Sequence, residues 1–311
     1  MLLKSADSKE SQLTILRNLL AHERVSADKK QLIERELRQL TIGMETEKQA
    51  AFEIDFYFGI SKNLWVIHDL RLEIDGRVAQ IDHLVMNRAF EMYVLETKTF
   101  NSGLTINEEG EFSTMYDGRQ LGIASPIAQN ARHISVLRQA FKVIDMPKRL
   151  GLTMQPLINS VILVSPKALI ERPKKLKLDA SVIKLDQFSN WYNSKLDSLT
   201  LMDCVGMFQI SSRETIKSVG EQLLALHKPA RVDYIDRFKL GPMLTGAAPV
   251  TPPLMVDNTP MPAVKVQESS RTNYFCAACK TEIAAVVAKF CFNAKARFGG
   301  RAYCRACQAT K

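Results

Sequence analysis

Gln80-Ile81-Asp82-His83-Leu84-Val85-Met86, a short gap, and then Tyr93-Val94-Leu95-Glu96-Thr97-Lys98 decide how the rest of this chain is read. Both halves alternate β-branched and apolar residues with polar ones, the pattern of half-buried strands, and residues 87–91 are few enough to be the turn of a hairpin. Side chains two apart on a strand share a face, so Glu96 and Lys98 point the same way, and pairing of the neighbouring strand can bring Asp82 beside them. Two carboxylates converging with one lysine make a hard-oxygen site for a divalent cation such as Mg²⁺, plus an ammonium that can orient a water. An acid two residues before a lysine is also common as a solvated surface pair, as with Asp28 and Lys30. Glu96 and Lys98 differ in ending an apolar strand, where two charges on one face are costly to bury unless a site needs them.

Working outward, residues 8–40 place Leu13, Leu16, Leu20, Ile33, Leu37 and Leu40 at helical steps. Thr41-Ile42-Gly43 breaks that pattern, and a second helix is expected over 44–58. Glu47 then falls near its first turn, where a carboxylate either complements the helix dipole or reaches over the sheet toward the site. Strands are expected over 64–70, 77–86 and 92–98, with a further hairpin over 104–107 and 111–115 around Glu108-Glu109-Gly110. Ser125-Pro126 is a helix start, an N-cap hydroxyl followed by proline, with Ile127, Ala131, Ile134, Leu137, Phe141 and Ile144 as the buried stripe. Gln129, Arg132 and His133 lie off the stripe, open to a substrate phosphate or to water. Residues 158–164 are a nearly continuous apolar run, as in a strand buried on both faces.

The composition, 46% hydrophobic and 24% charged over 311 residues, is that of a globular protein with room for one sizeable core and a small second module. The opening Met1-Leu2-Leu3-Lys4-Ser5-Ala6-Asp7 reaches charge too early for a signal peptide. No apolar run has membrane-spanning length, so a cytoplasmic location and no membrane partner are expected. Of the net +9, residues 271–311 carry +7, from eight Lys or Arg against Glu282 alone. So basic a module suits a polyanion, above all nucleic acid.

That module holds Cys276-Ala277-Ala278-Cys279 and Cys304-Arg305-Ala306-Cys307, 24 residues apart. Paired thiolates on two turns supply the four sulfurs of tetrahedral Zn²⁺, whereas disulfides are disfavoured in a cytoplasmic protein. Four thiolates around one Zn²⁺ lower the +7 to about +5, so the module stays basic. Cys291 is expected to pack in its core. Tyr274, Phe275, Phe290, Phe292, Phe298 and Tyr303 alternate with Lys289, Lys295, Arg297 and Arg301; most rings serve the core, and an exposed one would stack on unpaired bases. Before it, six of the chain's 12 prolines fall at Pro242, Pro249, Pro252, Pro253, Pro260 and Pro262, the mark of a semi-extended linker. Further helices are expected over 185–199 and 213–227, with Trp191 and Tyr192 as core aromatics and Cys204 as a buried thiol. Lys174, Lys175 and Lys177 read as a solvated loop, or as a DNA contact.

Gly43 to Glu47, Gln80-Ile81-Asp82-His83, Glu96-Thr97-Lys98 and Pro126-x-x-Gln129, in that order, resemble the NERD family, the nuclease-related domain, over about residues 43–165. That family belongs to the PD-(D/E)xK superfamily, so the resemblance implies an α/β, restriction-endonuclease-like αβββαβ core. It implies a nuclease that hydrolyses phosphodiesters of DNA, with Asp82 and Glu96 holding Mg²⁺ or Mn²⁺ and Lys98 positioning the attacking water. Glu47 would complete the site from the first helix and Gln129 would contribute a polar contact from the second. Where the family has a small glycine before that helix glutamate, this chain has Thr46. The alternative is a nuclease-like protein without turnover that binds nucleic acid or acts as an adaptor, and the zinc ribbon's own alternative is a protein partner. The expected organisation is a helical extension (1–42), the nuclease-like core (43–165), its helical continuation (166–240), the linker (241–273) and a zinc ribbon (274–311).

Overall fold

A six-stranded mixed sheet runs through the first of the two units, Met1–Ala247 and Ala248–Lys311, of the computed structural model. The described residues are 1–100, 103–174, 177–197, 210–244, 274–283, 285–293 and 298–308. In chain order, β1 (Leu2–Lys4) precedes two helices, α1 (Glu10–Ala21) and α2 (Ala27–Phe58). Three strands follow, β2 (Leu64–Ile74), β3 (Arg77–Asn87) and β4 (Glu91–Lys98), then β5 (Leu104–Ile106), β6 (Phe112–Tyr116) and β7 (Arg119–Ile123). Helix α3 (Pro126–Ala140) leads through a small hairpin, β8 (Lys148–Arg149) and β9 (Leu152–Thr153), to β10 (Leu157–Val164). β11 (Ile170–Glu171), β12 (Ser181–Lys184), α4 (Phe188–Asp197), α5 (Arg213–Ala225), α6 (Tyr234–Arg237) and α7 (Gly241–Leu244) complete the unit.

The main sheet has the order β1-β2-β3-β4-β10-β12, and a side sheet has the order β11-β5-β6-β7. β2, β3 and β4 are an antiparallel meander, and β10 lies parallel to β4, with Ile162 beside Glu96 and Val164 beside Lys98. Val161, Ile162, Leu163 and Val164 are wholly buried, which is why β10 reads as an unbroken apolar run. On one face, α2 and α4 pack Ala50, Ile54, Phe58, Phe188 and Tyr192 against Val66, Val85, Tyr93 and Leu95. On the other, α3 and α5 pack Val136, Leu137, Ile216 and Val219 against Ile67, Leu84, Met86 and Val94. Gly220 lets α5 approach this closely, since a Cβ there would collide with Leu3 and sit 2.8 Å from Met86 Cε.

Two expectations about the helices are corrected. The first break falls at residues 22–26, and α2 then runs 32 residues without interruption through Gly43. A glycine inside a helix costs only about 1 kcal/mol against alanine, and burial of Ile33, Met44, Ala50 and Ile54 along α2 outweighs it. Glu47 is therefore a mid-helix residue, far from the positive end of the dipole. In α3, Ser125 Oγ accepts from Ala128 N–H at 3.2 Å, as a cap should. Of the expected stripe, Leu137 and Phe141 are buried and Ile127, Ile134 and Ile144 pack against the core, but Ala131 is exposed, and Asn130 and Ala140 are buried in addition. β7 was not expected, because Arg119 to Gly122 are exposed and carry no buried-face pattern. Tyr192 is buried and Trp191 partly so. Lys175, Cys204, Lys295, Arg297 and residues 198–199 and 245–273 lie outside the described residues.

In the second unit, β13 (Tyr274–Phe275) and β14 (Glu282–Ile283) form an antiparallel hairpin, followed by α8 (Ala285–Asn293) and a last helical turn, Arg305–Gln308. Cys276, Ile283, Ala288, Cys291, Phe298 and Tyr303 make its small core. Among the described residues of either unit, no helix is long and apolar enough to cross a membrane.

Candidate active site

The site begins where strand alternation slips. Trp65 and Ile67, then Leu70 and Leu72, all enter the same core cluster, as do Ala79 and Ile81, then Leu84 and Met86, on the next strand. The inward parity thus shifts by one residue in both β2 and β3, although pairing holds register on either side, His68 opposite His83 and Leu70 opposite Ile81. Asp69 absorbs the shift in β2 with φ of 49°, a left-handed conformation that aspartate tolerates and β-branched residues do not. His68 and His83 are buried here, Nδ1 to Nδ1 at 2.7 Å, with His68 Nε2 3.1 Å from Asp55 Oδ1. Burial, and then His68, push His83 well below the ordinary imidazole range, so it is neutral.

Asp82 stands at this irregularity. The β3–β4 ladder ends at His83 and Leu95, so the next register step sets Asp82 against Glu96. The unpaired Thr97 N–H donates to Asp82 Oδ2 at 2.8 Å. Glu96 is only 2% exposed. Its Oε1 lies 2.7 Å from Lys98 Nζ and accepts a 2.7 Å hydrogen bond from Gln129 Nε2. Its Oε2 is buried and accepts no hydrogen bond, though His133 Nδ1 is 3.3 Å away. Asn130 holds α3 in place for these contacts, donating to Val94 O and Ser160 Oγ, each at 2.9 Å. The structure therefore brings Asp82, Glu96, Lys98 and Gln129 together, while Arg132 points to solvent.

Glu47 approaches from α2 and is bonded to Lys9, whose Nζ is also 4.0 Å from Asp69 Oδ1. Asp69 Oδ2 accepts from Asp7 N–H at 2.9 Å. Lys9 and Asp69 were absent from the sequence reading, and His133 was left there as an open polar group. Two of the three carried a signal: His133 is one helical turn from Gln129, and Asp69 follows His68 as a second polar residue inside an apolar run. Lys9 carried none.

Electrostatics tie these groups into one cluster. Burial first, then the charges of Glu96 and Glu47, push Asp82 well above its ordinary value. Burial also pushes Glu47 up, against the lowering effect of Lys9. Burial would lower Lys9, but Glu47, Asp69 and Asp82 together raise it, so it remains a cation. Glu96 Oε2 and, among the described residues, Asp82 Oδ1 accept no hydrogen bond, which leaves each acid one hard oxygen that could hold a divalent cation.

A metal-free protein should register this repulsion. A carboxyl whose pKa is raised on folding favours its protonated form, so its contribution to stability is present below the ordinary 3.8 and is lost as pH rises through the raised value. At neutral pH in EDTA, Asp82→Asn should therefore raise the unfolding midpoint by about 2–4 °C, corresponding to about 1 kcal/mol for a unit of this size. The gain should vanish at pH 3. An unchanged or lower midpoint at neutral pH would mean that Asp82 is not strained by its neighbours.

In the second unit, one sulfur each from Cys276, Cys279, Cys304 and Cys307 lie within 4.8 Å of one another. Burial works to raise the Cys276 thiol, but the N–H groups of Cys279, Cys304 and Ala278 aim at it and bring it down to about 6. Hydrogen bonding to the Cys304 and Cys279 sulfurs instead holds Cys307 up to about 12. Four sulfurs this close can all ionise only around a cation, and an all-sulfur donor set suits Zn²⁺. Cys291 is buried apart, its sulfur accepting from Tyr303 N–H and Gln308 Nε2, each at 3.3 Å. The arrangement is consistent with a zinc ribbon, and among the described residues β14 and α8 lie between the two cysteine pairs.

A hairpin-borne pair of acids, a lysine two residues on and a glutamine from the following helix thus meet on a mixed α/β unit. In comparison of the sequence with family models, residues 42–165 match NERD, the nuclease-related domain. This stretch of the chain is a NERD domain. No curated protein and no solved structure matches the chain.

Proposed function

We propose that this protein is a metal-dependent nuclease of the PD-(D/E)xK type that hydrolyses phosphodiester bonds of DNA, with the zinc module helping to hold the nucleic acid. The observation that carries the reading is the state of Glu96: a carboxylate only 2% exposed, tied through Oε1 to Lys98 and Gln129, with Oε2 accepting no hydrogen bond and facing His133 Nδ1 at 3.3 Å. Burying a charge in this way is costly, several kcal/mol per ion, and a purely structural role would complete its hydrogen bonds.

The divalent cation, Mg²⁺ or Mn²⁺, would be held by Asp82 and Glu96 and supplies positive charge against the charge that builds on the phosphate oxygens. Lys98 donates to and orients the attacking water, its ammonium steered by Glu96 Oε1. Thr97 N–H fixes Asp82, and Gln129 fixes Glu96, so neither acid has to be reoriented as the reaction proceeds. Glu47 adds negative charge from α2 and is balanced by Lys9. In the second unit, Phe275 is 54% exposed, with exposed Lys280 and Arg301 in the same unit, a composition suited to stacking on unpaired bases while neutralising phosphates.

Incubation of the purified full chain with single- and double-stranded DNA and with RNA, in Mg²⁺, Mn²⁺ or EDTA, tests the reading. DNA should be cut in either metal and left intact in EDTA. Binding without cutting in any metal would make the protein a nuclease-like adaptor, and cutting that persists in EDTA would remove the metal from the mechanism.

A further inference from the structure

Lys9 delivers a cation to the carboxylate cluster from outside the NERD domain, which starts at residue 42. Its side chain is 15% exposed, bonded to Glu47 Oε2 and 4.0 Å from Asp69 Oδ1. The placement is built by its neighbours. β1 adds in parallel to the edge of β2, Lys4 Nζ then bonds His68 O at 3.0 Å and Asp7 Oδ1 at 2.6 Å, and Asp7 N–H bonds Asp69 Oδ2 at 2.9 Å. Residues 4–9 are thereby clamped across the point where β2 slips, with the ammonium turned inward.

The cluster thus holds acids of two kinds. Among the described residues, Asp82 Oδ1 and Glu96 Oε2 accept no hydrogen bond and Lys98 reaches Glu96 only at Oε1, whereas Lys9 is bonded to Glu47 Oε2 and stands 4.0 Å from Asp69 Oδ1, the other Asp69 oxygen taking Asp7 N–H. A second divalent ion at Glu47 and Asp69 would have to sit within a few Å of a largely buried ammonium or displace it, and like charges at that distance repel strongly in a poorly solvated site.

We propose that Lys9 permanently occupies the Glu47–Asp69 side of the site as a built-in cation, so that the core takes up one divalent ion where its four carboxylates would otherwise take two. The inference rests on the reading of Asp82 and Glu96 as the metal pair. It makes Lys9 a positioning residue: it holds Glu47 away from the bound ion and sets the metal count.

Titration of the zinc-loaded full chain with Mn²⁺, followed by calorimetry and by the loss of the free-ion electron paramagnetic resonance signal, reads the count directly, without any activity. The unmutated chain should bind one Mn²⁺, Lys9→Gln two, and Lys9→Gln with Glu47→Gln one again. Glu47→Gln by itself should leave the count at one, and this arm decides the matter if removal of Lys9 prevents folding. A Lys9→Gln chain that folds and still binds one Mn²⁺ overturns the role of Lys9 while leaving the metal pair standing. Loss of the single Mn²⁺ in Glu47→Gln overturns it too, since Glu47 would then be a ligand of the first ion. If the unmutated chain binds no Mn²⁺, the metal-pair reading falls, and this inference with it.

Discussion

Glu96→Ala should abolish metal-dependent cleavage, by at least about a thousandfold, or about 4 kcal/mol of transition-state stabilisation, while DNA binding by the zinc-loaded chain, measured without added Mg²⁺ or Mn²⁺ and without chelator, stays nearly unchanged. The asymmetry follows from charge. Glu96 is negative and contributes nothing to attracting phosphate, but its Oε1 lies against Lys98 and its Oε2, which accepts no hydrogen bond, is the oxygen that would meet the cation. The alanine variant also strips Lys98 and Gln129 of their common acceptor in a buried site, so a loss of activity could come from local collapse. Glu96→Gln separates the two causes. It keeps the volume and an acceptor for Gln129 but removes the charge, and it should be equally inactive with an unaltered circular dichroism spectrum. If either variant cleaves DNA in Mg²⁺ at near the unmutated rate, the site proposed here is not where the chemistry occurs.

Chelation should dismantle the second unit and leave the first intact. A core this small, seven buried residues including Ala302 among those described, cannot hold a fold by itself, whereas binding of structural Zn²⁺ by four cysteines is worth about 10–16 kcal/mol at neutral pH, and that energy is folding energy. The full chain should contain about one Zn²⁺, and its removal should expose residues 274–308 to protease while the larger unit keeps its melting transition. Cys304→Ser should lose the metal. Cys291→Ser should keep it, because that sulfur is engaged by Tyr303 and Gln308 and not by the cluster. Stoichiometric zinc in Cys304→Ser would mean that another group completes the set, and zinc lost from Cys291→Ser would identify that group.

How much of this was legible in the sequence depended on range. The β3–β4 hairpin, the Ser125 cap of α3 and the two Cys-x-x-Cys turns are local, each written within a few consecutive residues by alternation, capping chemistry or ligand spacing. The helix boundary near Gly43 was misplaced for the opposite reason: a local penalty of about 1 kcal/mol was read without the packing of α2 that overrides it. Phase was harder still. Alternation in β2 and β3 breaks at His68-Asp69 and Asp82-His83, and a simple period of two carried through those residues assigns the wrong faces on one side of them.

The sequence by itself determined the chemical identity of the candidate site, because Asp82, Glu96 and Lys98 sit on adjacent strands whose pairing follows from one short turn. It also picked out Cys276, Cys279, Cys304 and Cys307 by their spacing, and these are the four whose sulfurs lie within 4.8 Å of one another. Only the tertiary structure decided what surrounds the acids. Lys9 meets Glu47 across 38 residues and Gln129 meets Glu96 across 33, contacts made by packing helices and an edge strand onto the sheet. No periodicity encodes such a meeting. It depends on the summed burial of the whole core, which places the Glu47 carboxylate beside an ammonium and leaves one oxygen of Glu96 without a hydrogen bond, beside His133.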